Sequence, residues 1–398
     1  MAGEQVRILE SISEVSPPEW NALTDHEPVR ASPFVLHGWL DALEQSRCAA
    51  PEAGWTPRHL TLWRGERLVA AAPAYQVTDS DGDFSRDWQW AAAARQAGVR
   101  YYPKLVLAVP FTPATGRRIL TAPGQDRAQA TQVLLEAAKD LARETQLGGV
   151  QVLFPDPDEL THLESAGLAV RVDFQYHWRN AGYSDWEAFL ARFPSKRRSA
   201  IRRERAAPAQ QGIAIRTVPG EELAADARGW ARELFDLHRQ TVDRMAWGMR
   251  WVNEEFYRRA LESVPRAIQV VEARREGRLV ATAFNATSGE RLYGRYWGAR
   301  EEHPFLHFNV CLYHSVEECI AHSVQVFEGG AGGEHKLSRG FEPAETWSAH
   351  WYRDRRLDQA VRRALRAELA ERREAVARWR ESSAVLKPAG SPSGAEPR

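Results

Sequence analysis

The sequence predicts an α/β protein of the mixed-sheet, α+β kind: two similar domains in tandem, packed side by side, with a long helix at the C-terminal end. Three observations predict it. At 398 residues the chain exceeds one ordinary core and suits two. The order of strand-like and helix-like stretches in the first half recurs in the second. Two short segments, Leu62–Ala72 (LWRGERLVAAA) and Ala273–Ala283 (ARREGRLVATA), are near copies placed about 210 residues apart. Each reads as a hairpin turning at a glycine.

In the first half, Ser32-Pro33 followed by Phe34, Leu36, Trp39, Leu40 and Leu43 has the spacing of a capped amphipathic helix. His59–Trp63 and Leu68–Tyr75 form the hairpin around Arg64-Gly65-Glu66, and residues 77–95 read as a long polar loop with a short helix. Leu105–Pro110 is an apolar strand, followed by a loop marked by Pro113, Gly116, Pro123 and Gly124. Arg127–Thr145 is a helix stopped by Gly148-Gly149. Val150–Phe154 is a strand, Asp156–Ser165 a short helix and Leu168–Trp178 a strand.

The second half offers helices at Trp186–Arg192, Ser195–Ala207, Glu221–Val242 and Asn253–Ser263. Strands follow at Ala267–Ala273, Leu279–Ala286 and Arg291–Gly298, then a helix at Leu306–His322 and a strand at Val324–Glu328. Thr346–Tyr352 is extended, Arg355–Arg380 is a long charged helix, and the Pro-, Gly- and Ser-bearing end reads as a disordered tail. The expected units are residues 1–180, 181–381 and the tail 382–398.

Composition narrows the function. Lys plus Arg and Asp plus Glu both number 53, so the surface as a whole is not built for nucleic acid, although a local basic patch could be. No apolar run is long enough for a membrane span and the N-terminal ten residues lack a signal-peptide core. Three cysteines without a CxxC suit reduced thiols, and the expected location is the cytoplasm. Fifteen tryptophans serve a core, or a groove for a sugar or flat substrate.

A hairpin, a strand, a glycine-bearing loop opening a helix, and then strand, short helix and strand is the element order of an acetyltransferase domain. Its mixed sheet splays open where the loop begins, exposing backbone donors beside a helix N-terminus. In the first half that loop is Phe111–Arg118, where Arg118 stands two places after Gly116 and would fill the space a CoA pyrophosphate needs.

Five runs then carry a resemblance: Arg100-Tyr-Tyr-Pro-Lys-Leu105, Val109-Pro-Phe-Thr-Pro113, Tyr293-Gly-Arg-Tyr-Trp-Gly298, Leu306-His-Phe308, and Gly333-Glu-His-Lys336 with Arg339-Gly-Phe341. From Ser32 to Arg380 the chain resembles the FemAB-like, peptidoglycan biosynthesis/recognition branch of the GNAT superfamily. The resemblance implies transfer of an amino acid from aminoacyl-tRNA to an amine of a peptide or nucleotide-linked precursor. An acyl-CoA donor and a non-catalytic peptidoglycan-recognition module are the alternatives. No cofactor is implied. The chain departs from the family pattern at Asn309, where an acid is expected, and at Val77, Asp79 and Asp83, where Lys, His and Glu are expected.

Amine acylation needs a neutral nucleophile, a polarised carbonyl and a proton for the leaving group. The densest candidate is Gly329–Lys336 running to Arg339. There His335 and Glu334 are expected as proton acceptors, and Lys336 and Arg339 as anion holders, unless these charges simply pair with one another. By strict alternation Tyr293, Arg295 and Trp297 share one strand face, with Arg295 an anion clamp or a cation–π sandwich, while Tyr296 opposite is a proton donor. His307 is a substrate contact. Its stripe with Cys311, His314 and Glu318 could be a metal site, but no rigid ligand from another segment is signposted, so the substrate contact is preferred. Asn309, on the neighbouring apolar stripe, is semi-buried and needs a partner. Tyr102 and Lys104 either reach the same cleft or plug a loop onto the sheet. Lys196, Arg197, Arg198 and Arg202 form a solvated basic face or a phosphate strip for tRNA.

Overall fold

The computed structural model describes residues 3–245, 248–382 and 386. Its strands are β1 (Glu4–Leu9), β2 (Trp55–Pro57), β3 (His59–Arg64), β4 (Arg67–Ala72), β5 (Ala74–Val77), β6 (Lys104–Leu107), β7 (Leu120–Thr121), β8 (Gly149–Leu153), β9 (Ala169–Arg179), β10 (Ile213–Pro219), β11 (Ile268–Arg275), β12 (Arg278–Thr287), β13 (Arg291–Ala299), β14 (Val326–Glu328) and β15 (Glu342–Tyr352). Four of them form a small sheet, β1-β3-β4-β7. Eleven form one long sheet, β10-β11-β12-β13-β14-β9-β15-β8-β6-β5-β2.

The long sheet is close to a palindrome about its central antiparallel pair, β9–β15. Moving outward on one side, β9–β14 is antiparallel, β14–β13 parallel and β13–β12 antiparallel. On the other side, β15–β8 is antiparallel, β8–β6 parallel and β6–β5 antiparallel. Each half therefore lends its last strand to the other. β9 adds to β14, and β15, distant in sequence, adds to β8. The near-copy hairpins obey one register: Leu62↔Ala70, Trp63↔Leu68 and Arg64↔Arg67 match Ala273↔Ala281, Arg274↔Leu279 and Arg275↔Arg278, with the irregularity at the same step. This is a tandem pair of GNAT-like domains. Because β15 completes the first half's sheet, a cut at residue 180 divides the chain without dividing the sheet.

The helix Arg355–Ser382 follows β15 and packs on β9 and β15. It buries Leu357, Val361 and Leu365 against Tyr101 and Tyr352. No helix among the described residues is long and apolar enough to cross a membrane.

Local physics explains where the elements differ from expectation. Ser32 adopts φ 69° and caps nothing; Pro33–Val35 makes a single 3-10 turn and the helix starts at His37. The helix expected over Glu221–Val242 is two, Gly220–Ala224 and Ala227–Asp243, because Asp226 turns to cap the second through Gly229 N. β1 was not anticipated, its exposed edge carrying little apolar pattern. Most of the expected tail, residues 383–385 and 387–398, lies outside the described residues.

Candidate active site

The parallel pairing of β13 with β14 lasts for three residue pairs and ends at Tyr293↔Glu328. Beyond it the strands part, and a cavity of about 460 Å³ lies against Gly294–Trp297 on one side and Gly329–Gly333 on the other. Phe84, Phe111 and Pro113 reach it from the first half, so it sits at the seam. Gly330, Gly332 and Gly333 have φ of 81°, 73° and 90°, which only glycine adopts cheaply. A Cβ at Gly330 would stand 3.3 Å from the Gly294 carbonyl oxygen.

A β-bulge shapes the other wall. Phe284 pairs with Tyr296 while Asn285 pairs with Gly294, which leaves Arg295 as the extra residue. Strict alternation therefore fails here: Tyr293 and Tyr296 join the same core cluster instead of opposite faces. Arg295 crosses the seam, its Nη2 donating to the Phe111 carbonyl and to Thr112 Oγ1, and its guanidinium carbon lies 5.4 Å from the Phe34 ring centre. It is both a cavity wall and a cation–π strut.

The helix Ala227–Asp243 brings a residue that sequence reasoning missed. His238 lines the cavity, shares a 3.0 Å hydrogen bond with Tyr257 Oη through Nδ1, and lies 4.9 Å ring to ring from Tyr296. Burial, then the charge of Arg295, lowers its pKa to about 4, so it is neutral. Its one sequence signal was a polar residue on the apolar stripe of Leu234 and Leu237. Burial likewise raises the pKa of the Tyr296 phenol, which keeps its proton.

The 3-10 turn Glu334–Arg339 carries the remaining groups. Lys336 is buried and its Nζ donates to the Gly330 and Gly332 carbonyls, each at 2.8 Å. Burial lowers its pKa to about 8. His335 packs 6.0 Å from His307 and 5.4 Å from Phe308, and burial followed by the charges of Lys336 and Arg339 lowers its pKa. His307 packs 5.1 Å from Trp297 and is held neutral, its pKa lowered to about 4 by burial. Thus Arg295, Tyr296, Trp297, His307, His335 and Lys336 meet in one cavity.

Other expected site residues go elsewhere. Arg339 does not line the cavity. It donates to Glu204 at 2.9 Å and lies 3.4 Å over the Phe308 ring, because Glu204 is a buried acid that needs cations. Glu334 is exposed on the turn's outer side and is not in the cavity lining. In the basic helix Ser195–Gln210, Arg197 donates to Ser338 O at 2.5 Å and Glu204 at 3.2 Å, and Arg202 pairs with Glu187 at 2.5 Å. Two of the four strip cations are thus engaged by the protein itself, while Lys196 is exposed and Arg198 half-buried. Lys104 is fully buried between Asp83 (2.8 Å) and Asp87 (2.7 Å), with Ser80 and Gln151, and Tyr102 Oη meets Ser80 Oγ at 2.6 Å. Both pin the loop onto the sheet and neither lines the cavity. Asn309 is buried and donates to Glu204 O at 2.8 Å and Phe305 O at 2.9 Å. The π-turn Asn309–Tyr313 breaks the histidine stripe, and His314 meets Thr217 at 3.0 Å while His307 faces the cavity.

The equivalent opening in the first half is sealed. Pairing of β6 with β8 ends at Leu107↔Val152, and Gly116 then bridges Pro155 as a substitute strand. Arg118, 1% exposed, fills the gap, donating to the carbonyls of Leu153 (2.7 Å), Ala114 (2.7 Å) and Gly116 (2.9 Å).

The FemAB-like family, described as peptidoglycan biosynthesis/recognition, matches residues 11–387. The chain belongs to that family. Among solved structures, FemX aligns with a TM-score of 0.52 at 11% identity, covering 87% of this chain and 98% of its own. The C-terminal domain of a protein described as a lysylphosphatidylglycerol synthetase from Agrobacterium fabrum aligns with a TM-score of 0.51 at 11% identity, covering 85% of this chain and 92% of its own. These likenesses bear on fold. No curated protein matches the sequence. The family's description connects this FemAB-like protein with peptidoglycan biosynthesis or recognition.

Proposed function

We propose that this FemAB-like protein is an N-acyltransferase that moves an aminoacyl group from aminoacyl-tRNA to an amine of a peptide or nucleotide-linked, peptidoglycan-precursor-like acceptor. The units are residues 1–180 and 181–381, and the reaction belongs to the second. The observation that carries this reading is the inequality of the two sheet openings: one sealed by Arg118, the other an open cavity holding His335, Lys336 and Tyr296.

The chemistry follows from those groups. The acceptor amine attacks the ester carbonyl, a C–N bond forms and the C–O bond to the tRNA ribose breaks. His335, whose pKa is lowered, is neutral and takes the proton from the amine. Lys336 has three N–H donors and spends two on Gly330 and Gly332, which leaves one for the carbonyl oxygen as it gains charge. Tyr296 keeps its proton until the leaving ribose oxygen takes it. Lys196 and Arg198 supply the phosphate contacts, the paired cations of that helix having other work.

Incubating the protein with charged tRNA or acyl-CoA and a lysine-containing muramyl peptide tests this. Transfer from tRNA, falling at least 100-fold in K336A with the fold intact by circular dichroism, is the expected result. Transfer from acyl-CoA alone would overturn the donor, and binding without any turnover would leave a recognition module.

A further inference from the structure

The cavity has two chemically distinct ends. At one end Asn285, paired with Gly294, has a buried Nδ2 with no hydrogen-bond partner among the described residues. Gly330 approaches Gly294 there, and Lys336 binds Gly330, so an unmet amide donor and a cation with a spare N–H share this end. Leaving a buried amide donor unpaired is destabilising, and a ligand oxygen would relieve that cost.

The other end is apolar. Trp251 stacks on Phe111 with ring centres 6.2 Å apart and planes 7° from parallel, and Phe84 meets Trp251 at 5.1 Å. Val242, Met245 and Met249 continue this wall. Met245 and Met249 are 57% and 48% exposed, an unusual state for methionine beside an open cavity. Flexible thioethers next to rigid rings accommodate varied apolar shapes.

We infer that the group transferred at this site is an aminoacyl group with a large apolar side chain, aromatic or branched aliphatic. Its side chain lies against Phe111, Trp251 and Met249, and its carbonyl lies at Asn285 and Lys336. This rests on the acyltransferase reading and deepens it. A small aminoacyl group would leave the apolar wall wet, and a polar one would find only the buried Trp251 Nε1 donor there. A cationic one would lose its hydration there with no acid in the described lining, and an anionic one would meet only Arg295, already engaged by the Phe111 carbonyl and Thr112.

The test compares kcat/KM for transfer from tRNA charged with leucine, phenylalanine or methionine against glycine, alanine or serine. The expected result is at least a tenfold preference for the large apolar set, reduced to under threefold in W251A/M249A. Equal rates for all six overturn the inference and leave the proposed function standing. If no charged tRNA serves as donor, that function's donor falls, and binding decides the inference separately. N-acetyl-leucine amide and N-acetyl-phenylalanine amide should bind, followed by calorimetry, at least tenfold tighter than N-acetyl-glycine amide, and N285A should weaken them. Equal binding overturns the inference by this route as well.

Discussion

Gly298 and His238 are in backbone contact: a Cβ at 298 would stand 2.5 Å from the His238 nitrogen and 2.4 Å from the Leu237 carbonyl carbon. The glycine lets the helix Ala227–Asp243 lie directly on β13, and this sets the His238 ring on Tyr296. G298A forces the helix outward. The expected cost is about 1–3 kcal/mol of stability, with kcat/KM falling at least tenfold at temperatures where the variant stays folded. Urea unfolding and steady-state rates measure the two effects separately.

Burial of the Lys336 ammonium costs stability. Its pKa is lowered from 10.5 to about 8 by burial, so its charged form is disfavoured in the folded state. Below pH 8 folded and unfolded chains are both protonated and the penalty is present in full. Between about 8 and 10.5 the unfolded chain binds the extra proton, so stability rises with pH. The shift corresponds to about 3 kcal/mol, offset by about 1 kcal/mol for each carbonyl bond that a methionine cannot make. K336M should therefore be about 1 kcal/mol more stable than the native chain at pH 7 while losing activity. Above pH 10 that advantage should reverse.

The same group sets a rate profile. If protonated Lys336 holds the carbonyl oxygen, kcat/KM declines as pH rises through about 8. In K336R the decline should move beyond pH 9 at a lower plateau. A profile flat to pH 10 in the native chain would remove Lys336 from that role.

Glu204 is the hub under the turn Glu334–Arg339. It accepts from Arg339 (2.9 Å), Tyr313 (2.5 Å) and Arg197 (3.2 Å), and these bonds hold its pKa below the ordinary carboxylate value. E204A strands the buried Arg339 and should cost about 3–5 kcal/mol. Since the folded pKa is depressed, the native contribution is present above the unfolded pKa and is lost as pH falls through the folded one. The gap between E204A and the native chain should accordingly shrink in acid.

Arg118 gives the contrasting variant. R118M removes the guanidinium bonds to the Leu153 and Ala114 carbonyls and one of the two donors to the Gly116 carbonyl, which also accepts from Asp156 N, and should lose about 2–4 kcal/mol. Because the opening it seals is not the one proposed to react, kcat/KM should change less than twofold.

Much of this could be read from residues alone. Period-two apolar runs marked most strands, and glycine and proline marked most stops. The repeated hairpin announced a duplication that its shared register displays. The Gly329–Lys336 run was visible because glycines and titratable groups crowd into eight residues. These are properties of neighbours in sequence, and local sterics and hydrogen bonding decide them.

The division of labour among charges was not visible. Lys104 and Arg339 have the same side-chain chemistry whether they meet a substrate or a buried acid, and only tertiary packing brought Asp83, Asp87 and Glu204 to them. The bulge at Arg295 depends on how Asn285 pairs across the sheet, and His238 reaches the cavity because Gly298 admits a helix. The exchange of β9 and β15 places strands far apart in the chain side by side. Chain-local patterns determine which elements form. Which elements become neighbours, and hence which cation stays free for chemistry, is decided by the folded sheet, where burying an unpaired charge costs more than any local preference returns.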